Sequence, residues 1–168
     1  FVRSDMQKAW RKAEVDLCEY DYALRSRDHF YRRTPQDNAR AIAICREGRQ
    51  RFPHSGLLKI QEGWNHFLVS QHGVVEAHEA ASAMQEAARL VEEGMDDPAL
   101  PAGGRRIGLW LQAHLEIHLK RDYDAARRHA FAVVETYPND TDGRFWRSEM
   151  ISCAGGRTTA RQWLPKAM

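Results

Sequence analysis

The chain has 168 residues, 43% of them hydrophobic and 29% charged, which excludes intrinsic disorder and suits one well-buried domain. No uninterrupted apolar stretch approaches the roughly 20 residues of a membrane helix, so a soluble protein with no membrane partner is expected, and three cysteines, odd in number and without metal-ligand spacing, suit a reducing cytoplasm. The net charge of +2 conceals segregation: residues 1–53 carry 12 Lys/Arg against 8 Asp/Glu, residues 54–100 carry 2 against 8, and residues 101–168 carry 11 against 7. A nucleic-acid partner needs a continuous basic surface to displace counterions, and the acidic middle third interrupts one, so none is expected.

Helix formers dominate, and no β-branched run alternates with period two. The chain opens at Phe1 without a leader of signal-peptide type, and Phe1 reads as the edge of a longer protein. A leading helix is predicted within 4–16, followed by a linker to residue 18. Helix pairs are then predicted at 19–33 with 36–52, 55–71 with 75–95, 105–120 with 122–136, and 141–153 with 157–168. Breaks at Thr34-Pro35, Phe52-Pro53, His72-Gly73, Asp97-Pro98, Gly103-Gly104, Tyr137-Pro138 and Gly155-Gly156 separate them. Asp37, Asp122 and Thr141 stand where N-caps are expected.

A repeat runs through these helices. Ala41, Cys45, Gly48 and Pro53 follow one another at spacings of four, three and five, and Ala126, Ala130, Val133 and Pro138 repeat those spacings. Ala160, Leu164 and Ala167 give four and three again, 34 residues after Ala126, Ala130 and Val133. A small side chain in mid-helix lets the paired helix approach closely while larger neighbours interlock around it. A 34-residue helix–turn–helix period resembles the tetratricopeptide repeat (TPR). The turn Lys120-Arg121-Asp122-Tyr123-Asp124-Ala125-Ala126 is similar to the family's inter-helix turn, with Trp110 at its aromatic place. His114 departs from the pattern, falling where a small residue is usual. Ala80, Met84 and Ala87 fit a second repeat, although no Pro follows in register.

The resemblance implies an all-α fold: about four TPR-like helix pairs over 19–168 in a right-handed superhelix, preceded by the leading helix and linker of 1–18, as a single domain. A narrower resemblance rests on Tyr20-Asp21-Tyr22-Ala23-Leu24-Arg25-Ser26-Arg27-Asp28-His29-Phe30 with Arg33-Thr34-Pro35-Gln36-Asp37-Asn38, and on the ending from Cys153 to Met168. These stretches are similar to TPR regions of bacterial class III adenylate/guanylate cyclase-type proteins and of some winged-helix regulators. That resemblance implies a bacterial signalling protein whose cyclase or DNA-binding module lies outside these residues.

No catalytic motif is present, so an enzyme is not expected and no catalytic residue carries over. His114 and His118 lie one turn apart, as a zinc pair would, but Glu116 stands about 200° round the helix from His114 and no third ligand is indicated. No metal or other cofactor is expected. Cys45 and Cys153 sit at repeat-core positions and Cys18 in a linker; each reads as a small hydrophobe, and disulfides are not expected. Gly103-Gly104-Arg105-Arg106 could cradle a phosphate at a helix start, but it lacks a Walker lysine–hydroxyl pair and reads as a flexible turn. Arg25, Arg27, Arg32 and Arg33 read as solvated and paired with Asp21 and Asp28.

The repeat register predicts the face that lines the concave groove. It comprises Tyr20, Ala23, Arg27 and Phe30, then Leu57, Ile60, Trp64 and Phe67, then Leu111, Leu115 and His118, then Phe145 and Glu149. Soluble proteins seldom leave such an apolar patch bare. A protein or peptide partner, a second copy of the chain, or the leading helix through Met6, Ala9, Trp10 and Ala13 would cover it. The expected function is therefore a protein-interaction module, with Trp64, Phe67, Leu111 and Leu115 as anchors and Arg27 and Glu149 setting orientation. The alternative is a small-molecule sensor that closes the same groove over a ligand near His118. A third reading makes these residues plain core.

Overall fold

The computed structural model describes residues 2–13, 16–71 and 75–138. Among the described residues the chain is helical without strands, and no helix is long and apolar enough to cross a membrane. The helices are α1 (Val2–Arg11), α2 (Glu19–Phe30), α3 (Pro35–Arg51), α4 (Gly56–Gln71), α5 (Ala77–Met95), α6 (Ala102–Leu115) and α7 (Tyr123–Thr136). The pair predicted at 141–153 and 157–168 lies outside the described residues, as do Thr141, Phe145, Glu149 and Cys153. The chain divides into two compact units, residues 1–108 and 109–168.

In the first unit the turns explain where helices begin and end. The leading helix stops at Arg11, earlier than its pattern suggests, and there Arg25 of α2 donates Nε and Nη2 to the Ala9 carbonyl and Nη2 to the Lys12 carbonyl. These are carbonyls a helix C-terminus leaves without internal partners. Cys18 caps α2: its backbone N–H donates to the Asp21 carboxylate at 3.0 Å, and Lys12 Nζ closes on the same carboxylate at 2.6 Å. After Phe30 the chain turns through Arg33, whose φ of 53° is left-handed, and a helix cannot continue through it.

The cap of α3 is Thr34 rather than the predicted Asp37. Pro35 takes the first helical position, where its missing N–H costs nothing, and so places the cap one residue before it. Asp37 is the third helical residue. Its N–H donates to Thr34 Oγ1 at 3.0 Å, and the Thr34 hydroxyl donates to Asp37 Oδ2 at 2.7 Å. Ser55 Oγ likewise accepts from the Leu58 N–H at 3.0 Å at the start of α4.

Within this unit α2 packs on α3, α3 on α4 and α4 on α5; α2 also reaches α4 directly, and α1 lies on α2. The small positions Ala41, Cys45, Gly48, Gly63 and Ala87 are all buried. A Cβ at Gly48 would stand 2.9 Å from both Leu58 and Tyr22, so only glycine admits this approach of three helices. At the far end of the α4–α5 pair Gly94 meets the Gly56 carbonyl as closely, 2.8 Å from where its Cβ would be. Asp97 locks that corner by accepting from the Gly56 N–H at 2.8 Å.

A buried charge ties α3 to α4. Glu62 is fully buried and accepts from Arg46 Nε at 2.9 Å and from Arg49 Nη1 at 2.6 Å, with His66 Nε2 at 3.7 Å. Burial alone would raise its pKa. The nearby His66 ring and the hydrogen bonds from Arg49 and Arg46 outweigh burial and hold the carboxyl at about 2. Beside it lies a buried polar seam: Cys45 Sγ donates to Ser26 Oγ at 3.1 Å, Ser26 Oγ to the Ala41 carbonyl at 3.2 Å, and Asn38 Nδ2 to the Asn65 carbonyl at 2.8 Å.

The predicted break at Gly103-Gly104 is not a turn. Both residues lie in the first turn of α6, which begins at Ala102, and Gly104 is buried. In the second unit α6 ends in one π-helical turn, Glu116–Lys120. Arg121 then takes φ 59°, and Asp122 caps α7 as predicted, accepting from the Ala125 N–H at 2.8 Å. Ala126, Ala130 and Val133 form the buried stripe of α7.

Candidate functional site

Which predicted groove residues reach the surface is decided by packing. Leu57, Ile60 and Phe67 are buried in the first unit, and Leu111 and Leu115 in the second. Ala23 is buried as well, against α2's neighbours. For these positions the structure agrees with the plain-core reading. Arg27, Phe30 and Trp64 are half-buried and His118 is exposed, so these four retain accessible surface.

Three of the predicted residues meet in the first unit, joined by one the sequence did not single out. The rings of Tyr31 and Phe30 stand edge to face with centroids 5.7 Å apart, Phe30 and Trp64 at 6.2 Å, and Trp64 and Phe67 at 5.7 Å. This row runs from the end of α2 onto α4, and each contact has the T-shaped geometry that aromatic quadrupoles favour. Its inner end, Phe67, is buried, whereas its outer end, Tyr31, is 57% exposed. The Trp64 indole N–H donates to the Ile107 carbonyl at 3.0 Å, which fixes the ring in the row.

Tyr20, Arg27 and Tyr31 are seven and four residues apart, so they share one stripe of α2. Tyr20 is 52% exposed. The stripe therefore carries an exposed ring at each end, about 16 Å apart along the helix, with a guanidinium between them. The signal for Tyr31 was available in the same spacing, within the helix predicted at 19–33, but the groove face taken from the register ended at Phe30.

The arginine cluster pairs differently from expectation. Arg32 holds Asp28 at 3.0 Å and Asp37 at 3.5 Å. Asp21 is taken by Lys12 instead. Arg25 caps α1 and stacks over Trp10 at 5.1 Å. Arg27 and Arg33 have no ion pair among the described residues. The positive charge beside the aromatic row is thus partly uncompensated.

Neither thiol described is set up as a nucleophile. Burial pushes the Cys45 thiol up to about 12, and the Cys18 thiol donates to Asp21 Oδ2 at 3.0 Å. The histidine pair of the second unit is stacked, with centroids 6.4 Å apart and planes 11° apart. His114 Nδ1 lies 2.8 Å from the Trp110 carbonyl, which can only accept, so this nitrogen carries the proton. Burial lowers the His114 pKa to about 4, opposed by that bond and assisted by His118. His114 is therefore neutral at pH 7. Among the described residues no three His, Cys, Asp or Glu side chains converge as a metal requires.

What the described geometry defines is an all-helical chain with an aromatic, cationic face on α2 and α4. Compared with known proteins, the chain matches no family model, none of the curated proteins and none of the solved structures.

Proposed function

We propose that this chain is a TPR-like helical-repeat module that docks a protein or peptide partner, part of a bacterial regulatory protein of the cyclase-associated kind. The observation that carries the reading is the aromatic row Tyr31–Phe30–Trp64 beside Arg27. It joins two first helices of successive hairpins, and its outer part is left accessible. Exposed tyrosine with an adjacent arginine is the composition that dominates protein interfaces. The direct α2–α4 approach supports the stacked-hairpin arrangement, because hairpins stacked in one direction bring alternate helices together. The buried stripes of α3 and α7, with their shared spacing, support a common repeat.

The working surface in this reading is narrower than the groove expected from the sequence. Tyr20, Arg27, Phe30, Tyr31 and Trp64 would contact the partner, while Leu57, Ile60, Phe67, Leu111 and Leu115 hold the helices that present them.

The test is a double variant, Arg27→Gln with Tyr31→Ser, in the full protein. Both side chains lie at the surface or half-buried, so helicity and melting temperature are expected to hold. Photo-crosslinking from position 20 should identify a partner with the unmodified protein and lose it with the double variant, at about 2 kcal/mol or more for such an anchor. Undiminished crosslinking with the helices intact would remove this face from the function.

A further inference from the structure

A second concavity lies on the other side of α2, between α1, α2 and α3, with a volume of about 370 Å³. That lies within the range of small-ligand sites. Its lining follows from three helical stripes. From α2 come Tyr22, Arg25 and His29; from α3 come Arg40, Ala43, Ile44 and Glu47, at successive turns; from α1 comes Trp10.

The walls are flat and apolar where they meet the α1 end. Trp10 is 43% exposed. Arg25 lies over its ring, and His29 stands edge-on to it at 5.8 Å. Arg25 Nε and Nη2 are bonded to the Ala9 and Lys12 carbonyls, so this guanidinium offers the cleft its flat face and, as a donor, its Nη1 edge. Tyr22 is buried, and its hydroxyl is engaged with Glu47 Oε1 at 3.3 Å. His29 Nδ1 faces the Asp37 carboxylate at 2.7 Å. A carboxylate only accepts, so Nδ1 carries a proton.

The donors of the cleft are thus committed, apart from the Nη1 edge of Arg25 and one whole side chain. Arg40 is exposed on the rim and has no carboxylate within ion-pair distance among the described residues. Glu47, the cleft's acid, lies seven residues further along α3, about 10 Å away, and is bonded to Tyr22. A planar apolar body against Trp10 and Ile44, with a single negative charge toward Arg40, complements these groups. A guanidinium with an open fork is the side chain best shaped for a carboxylate.

We propose that this cleft binds a small aromatic carboxylate, stacked at Trp10 and paired with Arg40. The site is independent of the partner-docking reading, since it uses the opposite face of α2 and no residue of α4.

The probe is 2-naphthoate, with uncharged 2-naphthamide as its control, followed by amide and indole NMR shifts of the full chain. Saturable shifts are expected at the Trp10 indole N–H and the Ala43 and Ile44 amides, with a dissociation constant near or below about 1 mM for a ligand of this size. The amide control should bind at least about tenfold more weakly, as should 2-naphthoate with Arg40→Gln, because each loses a charge-assisted pair. Tyr31→Ser should leave the naphthoate shifts unchanged. Equal affinity for acid and amide, shifts centred elsewhere, or none at millimolar probe would overturn the proposal. The acid–amide comparison needs no variant, so a misfolded Arg40→Gln would not spare it.

Discussion

The two compact units bury a titratable group by opposite means. In the first, Glu62 is buried as a charge, with two guanidiniums and an imidazole around it. In the second, His114 is buried as a neutral ring, bonded to the Trp110 carbonyl and stacked on His118. Desolvation penalises a charge in both places. It is overcome where two guanidiniums donate to one carboxylate, and it prevails at a ring bonded to a neutral carbonyl beside a second imidazole. The lesson is that burial alone does not say whether a group is ionised; the number and sign of its partners do.

The contrast breaks most strongly at Glu62. Glu62→Ala leaves the Arg49 side chain, already half-buried, facing a cavity with its positive charge unmatched. A loss of about 3 kcal/mol is expected, the usual cost of removing one partner of a buried pair. Urea unfolding would measure it. A loss below about 1 kcal/mol would mean that solvent reaches the cluster and that the pair is worth no more than a surface bridge.

A smaller effect is expected at the repeat stripe of the second unit. Ala126 is buried, so Ala126→Leu must displace its neighbours at a cost of about 1–3 kcal/mol. Thermal denaturation tests it. An unchanged midpoint would show that the 34-residue register does not mark close helix contacts.

Acid should sharpen the comparison by separating the units on the pH axis. His114 has its folded pKa lowered from 6.5 to about 4. Below pH 6.5 the unfolded chain therefore takes up a proton that the folded unit refuses, and stability falls as the pH drops from 6.5 to 4. Glu62 is lowered from 4.5 to about 2. Its contribution is complete above 4.5 and is lost only as the pH drops from 4.5 toward 2. Hydrogen-exchange protection of α7 should therefore decline at higher pH than protection of α4. His114→Asn should flatten the α7 decline between pH 6.5 and 4, leaving a residual slope from His129, which burial also lowers. Identical profiles for α4 and α7 would refute the assignment.

Helix positions were largely legible in the sequence, because helix starts and stops are local events. Asp122 before α7 and the small residues at four-and-three spacing act within one or two turns of the chain, whereas Pro35 moved the α3 cap from the expected Asp37 to Thr34. The first turn of α6 runs on through Gly103-Gly104, where a Cβ at Gly104 would stand 2.7 Å from Leu100 and one at Gly103 would meet nothing within 4 Å, so glycine here weakens a helix without ending it.

Among the described residues the sequence by itself therefore determined a helical chain, most of its breaks and the stripes that would be apolar. It did not determine which stripes stay at the surface. Leu57, Ile60 and Phe67 have the same spacing and character as Phe30 and Trp64, yet the first three are buried and the last two half-buried. Periodicity reports that a face is apolar, whereas coverage depends on helices distant in sequence. The same holds for charge. Lys12 rather than an arginine reaches Asp21, and Arg25 turns to the end of α1, because the linker between α1 and α2 brings those groups together in space. Only tertiary structure decides such partners, since a side chain's cheapest match is the group that packing leaves beside it.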